Sequence, residues 1–290
     1  MQTKRRLALC AAVLSGLLFA LTPLVALMQG QATLKILKTD NTDFPNVQVW
    51  VQAIGSNSLP MPDLNVGNFK IFEGGAPLDI GSVTPITNPD AELTIGVALD
   101  LGQGMKENAS SGEQRLAVAQ RILRKILEQM TTKDQMEVIG YSGKVEARTN
   151  SKERSYTNEK PALNEYIDAL AVYPEQGNPI CDAANKTLNT TAGRNGTPLV
   201  LLIAAGNESG PDVPFCDNVG DSGVRKQIPV FVIGLASDLD VAHLTRMTRD
   251  KDRIQIGDKD EQWAPFLSNL LNGLRRQYVL RYTAKAPCDD

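Results

Sequence analysis

Asp100 is the residue whose placement most invites chemistry. It closes the apolar run Leu93-Thr-Ile-Gly-Val-Ala-Leu99 and is followed at once by Leu101-Gly-Gln-Gly-Met105. A buried strand that ends in a carboxylate beside a glycine-rich turn presents that carboxylate at the mouth of a sheet, where open α/β sheets bind ligands. Such a group can hold a cation. The plainer reading is that it accepts N–H bonds from its own loop and from the helix that follows. Gly102-Gln-Gly-Met-Lys-Glu107 also reads as the start of a phosphate-cradling turn. Glu107, however, stands where the third glycine belongs, and no Gly-Lys-Ser/Thr follows, so nucleotide binding is not expected. Covalent catalysis lacks its parts. There is no Gly-x-Ser-x-Gly turn, and the single histidine, His243 in Asp240-Val-Ala-His-Leu-Thr-Arg246, reads as a solvated residue near the start of a surface helix. An enzyme is not expected.

The elements that must position Asp100 alternate from residue 91 onward. Strand-like runs are Leu93–Asp100, Gln135–Ser142, Pro198–Ala204 and Ile228–Leu235, and helical runs are Gln114–Met130, Pro161–Ala171, Cys181–Thr190 and Trp263–Arg276. In the first helix Leu116, Ala119, Ile122, Leu123, Ile126 and Leu127 recur at three- and four-residue steps and make one apolar face. Alternation of this kind predicts an α/β fold with a doubly wound, mostly parallel sheet and helices on both faces. Residues 33–86 read instead as a small β-sandwich-like module. Val47-Gln-Val-Trp-Val-Gln-Ala53 alternates as a half-buried strand does, and Asn65–Gly75 is a second strand closing in a Gly-Gly turn, with Ala76–Val83 as its return. Pro85-Ile-Thr-Asn-Pro-Asp90 is a linker by composition. Residues 91–276 form the α/β domain, and residues 277–290 a C-terminal strand and tail. Tyr278, Leu280 and Tyr282 alternate with Val279 and Arg281, and this strand is expected to pair with the β-module.

Residues 1–32 stand apart. Lys4, Arg5 and Arg6 precede an uncharged run from Leu7 to Met28, with Ala32 at a cleavage-compatible position. This is the pattern of an export signal, although the run is also long enough as a helix to span a bilayer as a retained anchor. Cys10 follows Leu9 where a lipoprotein cysteine follows a small residue, so lipidation is not expected. Either fate puts the rest of the chain outside the cytoplasm: secreted, in the cell envelope or anchored to the membrane. The formal net charge of −3 becomes more negative once the three basic residues are removed, which argues against nucleic acid and anionic membrane surfaces as partners. Sequons such as Asn108, Asn189 and Asn207 matter only in a glycosylating secretory system.

The stretch around Asp100 resembles the von Willebrand factor A domain, whose metal site opens with Asp-x-Ser-x-Ser at this place. Asn65-Val-Gly-Asn-Phe-Lys-Ile-Phe-Glu-Gly-Gly75 is similar to the short module that precedes such domains in exported bacterial proteins. In the family, Mg²⁺ or Mn²⁺ is held by that Asp and two Ser, by a Thr of a second loop and by an Asp after the fourth strand. Here the serine positions are Gly102 and Gly104. Asn178 in Gln176-Gly-Asn-Pro-Ile-Cys-Asp182 stands where the Thr would be, and Ala205 in Leu202-Ile-Ala-Ala-Gly-Asn-Glu208 stands at the second Asp. Hard cations need a near-complete oxygen shell. The resemblance therefore implies the fold and a degenerate site with no metal or other cofactor. If a metal binds at all, Asp100 and Asn178 are the residues to hold it, with Asp182, Asn207, Glu208 or Asp217 as rebuilt ligands. Asp182 most simply supports the start of its helix.

Cys181 opens the helix after the second loop, and Cys216 falls in the expected long loop Asn207–Ser222; in this topology both lie at one end of the sheet. A Cys181–Cys216 disulfide is expected, with two unpaired thiols as the other reading and Cys288 left over. The function read from the sequence is an exported or membrane-tethered protein-binding module. It acts without metal through the loops carrying Asp100, Gly102, Gly104, Asn178, Asp182 and Asn207, on a partner that the chain does not name. The alternative is a metal-dependent adhesion module with a non-standard ligand set around Asp100.

Overall fold

The computed structural model describes residues 32–143, 156–173, 177–209 and 215–285. The expected export signal or anchor, Cys10, Cys288 and the end of the tail lie outside the described residues.

The N-terminal part opens with β1 (Thr33–Asp43) and β2 (Asn46–Ile54), followed by the short hairpin β3 (Ile71–Glu73) and β4 (Ala76–Leu78) and by β5 (Ile80–Thr87). Gly74 and Gly75 join the hairpin with φ values of 56° and 83°. A two-residue turn between antiparallel strands requires this left-handed backbone, and glycine adopts it without steric cost. β5 runs through Pro85 to Thr87, so much of the expected linker is strand. Pro85 is tolerated because β5 is the last strand of its sheet, and a missing N–H there breaks no ladder.

The α/β part follows as β6 (Leu93–Asp100), α1 (Arg115–Gln129), β7 (Gln135–Tyr141), α2 (Lys160–Asp168), α3 (Ile180–Thr191), β8 (Thr197–Ala204), α4 (Phe215–Lys226), β9 (Val230–Gly234), α5 (Val241–Thr248), β10 (Ile254–Ile256) and α6 (Asp260–Leu274). Its five strands lie in the order β10-β9-β8-β6-β7, every neighbouring pair parallel. The period of two decides which helix each side chain meets. Leu199, Leu201 and Ile203 of β8 join the core under α1, α2 and α6, while Val200, Leu202 and Ala204 join the core under α3, α4 and α5. The apolar face of α1 comprises Val118, Ala119, Ile122, Leu123, Ile126 and Leu127, all buried; Leu116 is half-buried at its rim. α3 comes close to the sheet at Gly96, where an added Cβ would stand 2.4 Å from Thr191 Oγ1 and 2.7 Å from Thr187 Cγ2.

The last strand, β11 (Arg276–Thr283), enters the N-terminal sheet between β2 and β5, antiparallel to both, giving the order β1-β2-β11-β5. Tyr278 and Leu280 pack with Val51, and the Tyr278 hydroxyl donates to Met61 O at 2.7 Å. Val279 on the other face is buried too, so the expected inward and outward sides are both covered at this end of the strand.

A buried ion pair stands where the chain passes between the two parts. Arg275 Nη2 lies 2.5 Å from Asp134 Oδ2, with side chains only 6% and 0% exposed. Asp134 also accepts the N–H groups of Leu93 (2.8 Å) and Thr131 (2.6 Å), and Arg275 donates to the carbonyl of Ala91. The pair thus ties the start of β6, the loop before β7 and the entry to β11 together.

Candidate functional site

Asp100 ends β6 with 1% of its surface exposed. Its Oδ1 accepts the Gly102 N–H at 2.7 Å and its Oδ2 the Ala205 N–H at 3.0 Å. Burial raises its carboxyl above the usual range; N–H bonds from Ala205 and Gly102, the Asn178 side chain and the Gly206 N–H work the other way without cancelling it. Between the ordinary value of 3.8 and the raised one, the folded chain holds this proton and the unfolded chain does not. The contribution of Asp100 to stability therefore falls as pH rises through that window and is flat above it. Urea unfolding of the wild type and Asp100→Asn across that range should show the wild type losing ground to the variant as pH rises. A wild type that gains ground would contradict the burial account.

The loops around Asp100 are closed on one another. The first forms a 3-10 turn over Gln103–Lys106 with Met105 buried beneath it. Arg115, at the start of α1, reaches back to Glu107 Oε2 at 2.5 Å and Gly104 O at 3.3 Å. Gly104 itself is pressed against the end of β8: an added Cβ would lie 2.4 Å from Ala205 O and 3.0 Å from Ala205 C. In the second loop, Asn178 Nδ2 donates to Asn207 O at 3.1 Å, and the Ser209 N–H donates to Asn178 O at 3.2 Å. Asn178 Oδ1 is buried with no hydrogen-bond partner. Asn207 pins the next loop, accepting the Asp240 N–H at 2.6 Å and donating to Asp238 O at 3.0 Å.

These residues do not fit a hard divalent cation. Hydroxyls are absent at Gly102 and Gly104 and a carboxylate at Ala205, and both Asp100 oxygens already accept backbone N–H groups. That leaves Asn178 Oδ1 as a buried oxygen with no hydrogen bond, and water would have to supply most of the roughly six positions around such an ion. Asp182 is exposed in the first turn of α3, and Asp217 lies in the first turn of α4; both suit a helix N-terminus.

A second constellation forms behind the loops. Cys181 and Cys216 are paired as a disulfide, their Cα atoms 5.0 Å apart. Cys216 lies in a helix, α4, and the part of the expected loop at 210–214 lies outside the described residues. His243 is buried in α5, 6% exposed, with Nε2 2.8 Å from Cys216 Sγ and 3.6 Å from Cys181 Sγ. Glu208 Oε2 accepts the Cys181 N–H at 2.8 Å. The expectation of a solvated His243 is therefore wrong. Asp240 caps α5 by accepting the His243 N–H, which turns His243, Leu244 and Met247 together into the core. That capping Asp, followed by this three- and four-residue spacing, was the available signal. α4 was missed because its buried side carries small residues. At Gly220 an added Cβ would stand 2.6 Å from Arg246 O, so α4 approaches α5 on glycine rather than on a stripe of large apolar residues.

No family model matches the sequence, and no curated protein matches it either. Solved structures do match. The structure of proximal thread matrix protein 1 from the mussel byssus with zinc-occupied MIDAS motif aligns with TM-score 0.55 and 11% identity over 71% of this chain and 50% of that one. Another crystal form of the same protein gives 0.55 and 10% over 68% and 49%. The von Willebrand factor type A structure from Catenulispora acidiphila gives 0.50 and 8% over 89% and 66%. The fold is that of a von Willebrand factor A domain. At these identities the likeness concerns the fold alone, and the chain spans about half the length of the mussel protein. Within the A-type fold, the structure brings Asp100, Gly102, Gly104, Asn178 and Asn207 to one end of the parallel sheet and leaves Asp182 on the outer side of α3.

Proposed function

We propose that this chain is a protein-binding module, working outside the cytoplasm through the loops after β6, β8 and β9 and before α3, with neither a hard cation nor a catalysed reaction. The observation that carries the reading is the double acceptance at Asp100: the carboxylate is spent on the Gly102 and Ala205 N–H groups and braces the loops directly. Gln103, Lys106, Glu107 and Ser209 are exposed around this rim and offer polar contact atoms. The basic start and long uncharged run of residues 1–32 support export or tethering. A second reading, a Mg²⁺- or Mn²⁺-dependent adhesion site built on Asp100 and Asn178, rests on the unpartnered Asn178 Oδ1.

Capture from a cell-envelope extract, with the full chain as bait, separates the two. The proposal expects the same bound protein in excess Mg²⁺ and in excess chelator, and its loss from a Gln103→Arg, Lys106→Glu bait. Capture that chelator abolishes would favour the second reading.

A further inference from the structure

We infer that Cys181, Cys216, His243 and Glu208 form a redox-gated zinc site, closed as a disulfide when oxidised and able to hold one Zn²⁺ when reduced. One candidate ligand atom from each residue lies within 4.8 Å of all the others, on α3, α4, α5 and the loop after β8. Tetrahedral zinc has bonds of ~2.3 Å to sulfur and ~2.0–2.1 Å to nitrogen or oxygen, so its ligand atoms sit ~3.3–3.8 Å apart. The 2.8 and 3.6 Å separations of His243 Nε2 from the two sulfurs are near that spacing, and the sulfurs themselves must part from bonding distance to ~3.8 Å once the disulfide is reduced.

A disulfide by itself calls for no buried imidazole or carboxylate beside it. His243 Nε2 nevertheless points at two sulfurs, which are weak hydrogen-bond partners, and Glu208 is already held against the Cys181 backbone. Two thiolates, an imidazole and a carboxylate are a donor set for a borderline-soft ion such as zinc rather than for Mg²⁺ or Mn²⁺. With four protein ligands the site is of the closed, structural kind. Zinc would join α5 and the β8 loop to the α3–α4 link that the disulfide makes alone.

The exchange balances with a thiol reductant. A dithiol gives two electrons and two protons to the Cys181–Cys216 bond and becomes a disulfide itself. The two thiols then release their protons to solvent as Zn²⁺ binds. A disulfide oxidant reverses both steps and frees the ion.

The test uses the full chain reduced anaerobically with a water-soluble phosphine, which does not chelate zinc as dithiols do. After addition of ZnCl₂ and desalting, metal analysis should find one zinc per reduced chain and essentially none per oxidised chain. Zinc should raise the melting midpoint of the reduced form only, and Co²⁺ in its place should show thiolate-to-cobalt charge transfer with tetrahedral visible bands. His243→Gln and Glu208→Gln, which keep the cysteines, should each weaken zinc binding, His243→Gln by more than the ~10–100-fold typical of outer-shell changes. Reduced wild type that retains no zinc, or His243→Gln that binds as tightly as wild type, would overturn the inference.

Discussion

Arg275→Met should destabilise the chain by about 3–5 kcal/mol, the range found when one partner of a buried ion pair is removed. The loss comes mainly from what remains. Asp134 is fully buried and cannot recover water, and its other bonds, to the Leu93 and Thr131 N–H groups, do not neutralise it. The carbonyl of Ala91 loses its donor as well. Because these groups sit where β6 begins and β11 departs, hydrogen exchange should loosen at both places together. The double variant Asp134→Leu, Arg275→Met should recover part of the loss by removing the stranded charge. Urea unfolding of the three proteins checks this; a single variant within about 1 kcal/mol of wild type would show that the pair is solvated in solution.

Cys181→Ser, Cys216→Ser should cost about 3–4 kcal/mol on the chain-entropy model, because the link closes a loop of 35 residues. The loop contains β8 and the start of α4, so the unlinked chain gains freedom in the segment that carries Ala205 and Asn207. Under oxidising conditions the variant should unfold at correspondingly lower urea than wild type, and under full reduction without zinc the two should converge. Non-reducing peptide mapping should recover the Cys181–Cys216 pair. A map that links Cys216 to Cys288 would contradict the loop assignment.

Much of the fold can be read from the sequence because its signals are local and strong. Leu93–Asp100 is buried along its whole length and needs no partner to be recognised as a central strand. The three- and four-residue steps of α1 and the alternation of β11 likewise survive without tertiary context. Elements that depend on close backbone approach do not. α4 packs through Gly220, and β10 is three residues long and owes its assignment to pairing with β9. Pro85 reads as a breaker until β5 is seen to be an edge.

At the site, the residue types announce what is missing, but only the geometry shows what replaces it. Nothing in Gly102-Gln-Gly104 says that the loop folds onto Ala205 or that Asp100 braces both. The same closeness means that writing the family's ligands back into this chain, including Gly104→Ser, would force the first loop away from Ala205. The cluster around His243 was illegible for a different reason. Its members are separated by 8 to 62 residues and converge only when α3, α4 and α5 stack on one face of the sheet.

The central claim, that direct bonds to Asp100 brace this end of the sheet in place of a hard cation, is tested most directly by the melting midpoint of the protein with and without Mg²⁺ or Mn²⁺. At about 10 mM ion, a site with a millimolar dissociation constant adds about 1.4 kcal/mol. In a domain of this size that raises the midpoint by roughly 3–6 °C. The account predicts a change smaller than about 1 °C, which on the same scale corresponds to a few tenths of a kcal/mol. A clear rise with either ion, abolished by Asp100→Asn, would contradict it.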